Sequence, residues 1–128
     1  MNAKRILIVD DKETMRFLLS EALRPLGQEI ETAESGEKAL QKLAEKSFDL
    51  VIIDCLICTT NDLDLLQSIK KIYLSLPVLV MNTNGCENEF LEKGALACIR
   101  RPLNTSQLQM ISRLILSDTL SPAPLHWK

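Results

Sequence analysis

The sequence predicts an α/β fold in which a doubly wound, five-stranded parallel sheet carries helices on both faces. Runs rich in Val, Ile and Leu alternate five times with amphipathic helical stripes along the chain, a pattern typical of βα units joined by right-handed crossovers. The apolar runs are nearly continuous, which indicates strands that are buried on both faces. These observations favour a sheet enclosed between two layers of helices.

Five segments carry the strand pattern, and a polar residue follows each of them. The predicted strands, in chain order, are 5–9, 29–33, 49–53, 77–81 and 96–99. The segment at 29–33 has the weakest pattern of the five.

A helical stripe of apolar residues follows each predicted strand, and local signals mark where several helices begin or end. The stripes lie at 15–23, 39–43, 63–72, 87–93 and 108–115. The signals are Pro25 as the stop of the first helix, Ser35 as an N-cap, Gly94 as a C-cap, and Asn104 with Gln107 as a capping box.

Length and composition fit one globular domain. The chain has 128 residues, of which 46% are hydrophobic and 25% charged, and a domain of this size buries a core without disulfides or metal. We expect the domain to cover residues 1–117 and residues 118–128 to be a C-terminal tail or a linker stub. A net charge of -2 and only 4% aromatic residues disfavour direct binding of nucleic acid.

Neither a secretion signal nor a membrane-spanning segment is evident in the sequence. Its apolar runs are much shorter than the ~18–20 residues that a spanning helix needs. We therefore expect a cytoplasmic protein that does not enter a membrane and whose four cysteines are reduced.

Polar side chains follow the predicted strands at one edge of the sheet. They are Asp10 and Asp11 after the first strand, Asp54 after the third, Asn82 after the fourth and Arg101 after the fifth. Ligands of doubly wound sheets bind at this edge, where the strand order reverses. An aspartate after a strand is often only a turn or cap residue, but three close carboxylates repel one another unless they share a cation. Their oxygen atoms suit Mg²⁺.

Five segments of the sequence resemble the receiver domain of response regulators in two-component signalling. They are Ile6-Leu7-Ile8-Val9-Asp10-Asp11, Asp49-Leu50-Val51-Ile52-Ile53-Asp54, Pro77-Val78-Leu79-Val80-Met81, Gly94-Ala95 and Arg101-Pro102-Leu103. The resemblance extends from about residue 4 to about residue 116. It implies a flavodoxin-like (βα)5 three-layer sandwich with strand order 2-1-3-4-5.

The resemblance implies a phosphoacceptor switch rather than a turnover enzyme. Asp54 corresponds to the nucleophile that takes a phosphoryl group. Asp11, Asp54 and the backbone carbonyl of Leu56 correspond to the Mg²⁺ ligands, and Asp10 reaches the metal through water. The implied partners are a histidine kinase or phosphotransfer protein and a downstream output protein or domain, and a homodimer is compatible with the family.

Three positions depart from the family pattern. Arg101 replaces the usual Lys, so that it can serve the phosphoryl group or hold Asp54 in a standing ion pair. Asn82 occupies the Ser/Thr switch position, with Thr83 next to it as a stand-in for the hydroxyl. Cys98 replaces the Tyr or Phe that relays the state of the domain.

The departures leave other functions open. A pseudo-receiver would bind partners without being phosphorylated. A hydrolase of the haloacid type would need a second aspartate where Leu56 stands. Cys55 and Cys58 form a C-x-x-C pattern with Cys86 as a third ligand candidate, so a redox or zinc site is an alternative, although free cysteine is more often a small buried hydrophobe.

Overall fold

A computed structural model describes residues 3–55, 60–82, 87–100 and 104–117, with the side chains of Cys55, Thr60, Asn61 and Asn82 outside the description. Its five strands form one parallel sheet in the order β2-β1-β3-β4-β5. The strands are β1 Arg5–Val9, β2 Glu29–Ala33, β3 Leu50–Cys55, β4 Val78–Asn82 and β5 Ala97–Arg100. The predicted fold class and strand order are confirmed.

A helix follows each strand, as predicted. The helices are α1 Glu13–Leu23, α2 Gly36–Glu45, α3 Thr60–Ile72, α4 Glu87–Glu92 and α5 Thr105–Leu116, and a short 3₁₀ turn covers Arg24–Leu26. Within the described part of the chain, no helix has the length and the apolar character needed to cross a membrane.

Local sequence signals explain the helix ends. The Ser35 hydroxyl accepts a hydrogen bond from the Lys38 N–H at 3.2 Å, and the Asn104 side chain accepts one from the Gln107 N–H at 3.0 Å. Both side chains satisfy a backbone donor that the first helical turn leaves open. Gly94 follows α4 with a φ of 113°, a backbone conformation that glycine adopts without strain.

Two apolar clusters lie on the two faces of the sheet. Strand residues pointing to one face pack with α2, α3 and α4, while their neighbours in sequence pack with α1 and α5. The alternation is clear in β3, where Ile53 belongs to the first cluster and Ile52 to the second. Because successive side chains of a strand face opposite sides, a nearly continuous apolar run fills both cores.

Three strands, β3, β4 and β5, extend past the ends that the sequence predicts. Strand β3 was expected to end at Ile53, but Asp54 pairs with Met81 and Cys55 pairs with Asn82. Pairing between strands uses backbone groups, so a polar side chain does not stop it. Asp54 and Asn82 therefore lie inside the last rungs of the sheet instead of following it.

Candidate functional site

The predicted acidic residues lie at the carboxyl ends of two strands, with Asp10 and Asp11 directly after β1 and Asp54 on β3. We call these three residues the acidic edge. Strands β1 and β3 are neighbours, with Val9 opposite Ile53. The chain leaves β1 toward one face of the sheet and β2 toward the other, so the crevice beside β1 is the switch point where doubly wound folds bind ligands.

Asp10 is the buried member of the acidic edge, with only 5% of its surface exposed. Its backbone N–H donates to the Ala33 carbonyl at 3.1 Å, and its Oδ1 accepts from the Lys12 N–H at 2.8 Å. The Arg16 guanidinium donates to the Asp10 carbonyl at 2.8 Å. These bonds fix the carboxylate, while its Oδ2 is buried and accepts no hydrogen bond from any described residue.

Asp11 and Asp54 have different surroundings. The Asp11 side chain is 81% exposed and lies 3.8 Å from the Lys12 ammonium, a surface ion pair of little energetic weight. Asp54 is half-buried on β3, and its Oδ1 is shielded from solvent. The acidic edge thus combines an exposed, a half-buried and a buried carboxylate.

The chemistry of the acidic edge suits a magnesium ion. Among the described residues, no group of three His, Cys, Asp or Glu side chains is close enough to hold a metal ion by itself. Mg²⁺ does not need such a group, because it keeps several waters and binds through one or two carboxylates. A buried carboxylate oxygen that accepts no hydrogen bond from the described residues, such as Asp10 Oδ2, is the kind of atom that a hydrated cation satisfies.

Several predicted site residues lie outside the described part of the chain. These are Leu56, Thr83 and Arg101, and of Asn82 only the backbone is described. Cys58 and Cys86 also lie outside it, as does the side chain of Cys55, so the redox or zinc alternative stays a hypothesis. The structure places Asp10 and Asp11 directly after β1 and Asp54 on the adjacent strand β3, and the roles of all the predicted site residues remain predictions.

Cys98 is described, and it is buried in the core below α4. Its Sγ lies 3.8 Å from the Glu87 carbonyl oxygen. Burial, and secondly the negative charge of Glu87, raise the pKa of the Cys98 thiol to about 12. A protonated, buried thiol is a packing group and neither a nucleophile nor a metal ligand.

The sequence reasoning missed an ion pair beside the site. The Arg100 guanidinium, at the end of β5, contacts Glu87 Oε1 through Nε and Nη2, both at 2.9 Å. The backbone N–H of Glu87 lowers the pKa of its carboxyl group, and Arg100 lowers it further. The sequence does contain an arginine at the end of a strand and a glutamate in the first turn of a helix. Only the fold shows that these two side chains meet.

Comparison with known proteins places this architecture in a family. A sequence model of the response regulator receiver domain matches residues 6–113. The transcriptional regulatory protein ZraR of Klebsiella oxytoca is 34% identical over 124 residues, which cover 94% of this chain and 28% of ZraR. The sensor histidine kinase RcsC of Salmonella typhi is 33% identical over 107 residues, which cover 81% of this chain and 11% of RcsC.

Solved structures agree with the sequence match. The receiver domain of NtrX from Brucella abortus superposes with a TM-score of 0.80 at 28% identity, covering 89% of this chain and 99% of that domain. The chemotaxis response regulator CheY4 of Vibrio cholerae gives a TM-score of 0.80 at 26% identity, covering 90% and 100%. The matched sequence reaches from β1 into α5 and the strand order is the expected one, so this chain belongs to the response regulator receiver domain family.

Proposed function

We propose that this receiver domain accepts a phosphoryl group on Asp54 from a histidine kinase or a phosphotransfer protein. The observation that carries the proposal is the acidic edge, where Asp54 lies on the strand next to the fixed and buried carboxylate of Asp10. Carboxylates gathered at a switch point are an arrangement expected of a functional site and not of a structural one.

In the proposed reaction, a carboxylate oxygen of Asp54 attacks the phosphorus atom of the donor. A phosphorus–oxygen bond to Asp54 forms while the bond from phosphorus to the donor nitrogen breaks, and the imidazole leaves with that electron pair. The product is an acyl phosphate on Asp54. The domain holds this group as a signal, so the reaction is a modification of the protein itself and not a turnover reaction.

Charge at the acidic edge determines whether this attack is possible, because a carboxylate and a phosphoryl group repel each other. A magnesium ion held by Asp10, Asp11, Asp54 and the Leu56 carbonyl would neutralise the phosphoryl oxygens. Asp10 Oδ2 is buried and accepts no hydrogen bond from the described residues, which favours this assignment. Arg101 would add a second positive charge, and Asn82 or Thr83 would donate a hydrogen bond to the phosphoryl group.

The partners follow from the kinds of protein in which the family occurs. The related ZraR is a transcriptional regulatory protein and the related RcsC is a sensor histidine kinase, and the chain spans 28% or less of their length. We infer that this domain works in the cytoplasm, receives its phosphoryl group from a kinase and passes the signal to an output protein or domain through protein contacts. Its net charge of -2 favours protein contacts over nucleic acid.

Intact-mass measurement tests the proposal. Incubation with Mg²⁺ and acetyl phosphate should add one phosphoryl group to the wild type and none to the Asp54→Asn variant. Asp64→Asn, which changes an exposed aspartate on α3, is the matched control and should be modified like the wild type. A wild type that gains no mass under these conditions would contradict phosphoacceptance and favour the pseudo-receiver. Partner binding unchanged by Asp54→Asn would do the same.

A further inference from the structure

An open apolar groove lies at the end of the sheet opposite the acidic edge. It has a volume of about 980 Å³ and borders the residues that directly precede β1, β3, β4 and β5. The turn between α3 and β4 forms one wall and the end of α5 another. The apolar side chains that matter here are Ile72, Leu74, Leu91, Leu96, Ile115 and Leu116.

Two side chains of the groove are unusually exposed. Leu74 is 77% exposed and Ile72 is 66% exposed, the highest values for large hydrophobic residues within the described ranges. A folded domain becomes more stable when such neighbouring apolar surface is removed from water. Two neighbouring exposed apolar side chains beside an open groove form a surface that a further apolar segment can cover.

The turn that presents Leu74 is held in place. The Lys70 ammonium donates to the Leu74 carbonyl at 2.8 Å and to the Leu76 carbonyl at 2.7 Å, and the Leu76 N–H donates to the Tyr73 carbonyl at 3.1 Å. Burial lowers the pKa of Lys70, which means that the ammonium group that orders this turn is partly removed from water. The exposed surface of Leu74 is therefore part of a preformed wall.

The chain itself supplies a segment that can cover the groove. Helix α5 ends at Leu116, which lines the groove, and residues 118–128 continue directly from this point. Their sequence, DTLSPAPLHWK, has one acidic and one basic residue and includes Leu120, Leu125 and Trp127. Eleven residues span at most about 40 Å when extended, and a short tether keeps the effective concentration of its end high.

We propose that residues 118–128 fold back onto this groove and cover Leu74 and Ile72, with the indole of Trp127 against Leu74. An aromatic ring buries about 150–250 Å², which suits a wide and open apolar cleft. The two prolines of the segment favour an extended backbone, the form that follows a groove. This docking is independent of phosphorylation at Asp54, since the groove and the acidic edge lie at opposite ends of the strands.

Fluorescence tests the proposal, because Trp127 is the only tryptophan of the chain. In the folded wild type we expect blue-shifted emission and a rate constant for acrylamide quenching at least about twofold below that of the unfolded chain, as for a partly buried indole. Leu74→Asp should move both values to those of the unfolded chain. Leu18→Asp, at an exposed leucine on α1, is the matched control and should leave both values unchanged.

Two outcomes would overturn the proposal. The first is a wild-type emission and quenching rate equal to those of the unfolded chain. The second is a blue shift that disappears on dilution, because the groove would then be covered by a second copy. Circular dichroism verifies folding of Leu74→Asp, and Ile72→Asp, at the other exposed position, provides an independent variant with the same expected result.

Discussion

At the carboxyl ends of the strands, the two halves of the sheet differ in how their polar groups are arranged. Strands β1 and β3 form the first side, and strands β4 and β5 form the second side. The first side gathers carboxylates, and Asp10 Oδ2 is buried with no hydrogen bond from the described residues. Among the described residues of the second side, Arg100 pairs with Glu87 and Cys98 is a buried thiol. Among the described residues, the first side therefore leaves a buried carboxylate oxygen without a hydrogen bond, whereas the second side pairs the charges of Arg100 and Glu87.

This difference bears on the proposed function. The acidic residues that match the family pattern lie at β1 and β3, where the proposed attack on phosphorus would require charge and metal ligands. Of the departures from the family pattern, Asn82 lies at the end of β4 and Cys98 on β5, whereas Arg101 lies outside the described residues. Cys98 is small, buried and without an aromatic ring, so an effect of the proposed phosphorylation on this side would use other groups, of which the Arg100–Glu87 pair is described.

The largest effect that we expect concerns the reactivity of Cys98. In a variant with Cys55, Cys58 and Cys86 replaced by serine, a disulfide reagent at about pH 8 should label Cys98 about a thousandfold more slowly than an ordinary thiol, because only the thiolate reacts. The reason is the rise in the pKa of this thiol from 9.0 to about 12. The labelling rate should increase as the pH rises. Equal rates in the folded and the urea-unfolded variant would show that the β4 and β5 side is open.

Asp10→Asn tests the side at β1 and β3, where the buried Asp10 Oδ2 accepts no hydrogen bond from the described residues. In the presence of a chelator we expect the free energy of unfolding to rise by ~1–3 kcal/mol, because the amide, which is polar but uncharged, removes a buried negative charge beside Asp11 and Asp54. Added Mg²⁺ should stabilise the wild type and not the variant.

Urea denaturation with and without Mg²⁺ provides these values, and Asp64→Asn is again the control. A variant less stable than the wild type in chelator would mean that the carboxylate of Asp10 is satisfied within the protein.

Arg101→Lys tests whether the arginine that replaces the usual lysine changes the rate of the proposed phosphorylation of Asp54. Both side chains supply a positive charge, so we expect the initial rate of phosphorylation by acetyl phosphate to change by less than about tenfold, or ~1.4 kcal/mol in the barrier. Arg113→Lys, on the exposed face of α5, is the control for a general effect of the exchange. A larger increase would show that Arg101 blocks Asp54.

Glu87→Gln should have the smallest effect. At neutral pH we expect a loss of ~0.2–1 kcal/mol in the free energy of unfolding, as for other partly exposed ion pairs. The pKa of Glu87 is lowered by its own backbone N–H and by Arg100. Its contribution is therefore complete above the ordinary value of 4.5 and is lost as the pH falls through the lower pKa of the folded state.

Urea denaturation across acidic and neutral pH measures this loss, with Glu89→Gln at an exposed position on the same helix as the control. A difference between wild type and variant that does not shrink in acid would assign the effect to packing instead of charge.

Local chemistry made much of the fold predictable. Ser35 and Asn104 cap helices through side chains that bond within three residues, and Gly94 closes α4 with a positive φ, so a short stretch of sequence contains the whole cause. The ends of β3 and β4 were less predictable. Strand pairing continues through Asp54 and Asn82 because the backbone of the neighbouring strand supplies hydrogen-bond partners. The sequence of one strand does not reveal how far its neighbour extends.

The candidate site divides in the same way. The sequence by itself determined that carboxylates follow β1 and lie near the end of β3, because parallel strands carry their carboxyl ends to one edge. Only the tertiary structure decided which carboxylate is buried, that Arg100 meets Glu87, and that Leu74 remains exposed on a turn held by Lys70. These features depend on contacts between distant segments, and burial and charge pairing are properties of the packed chain.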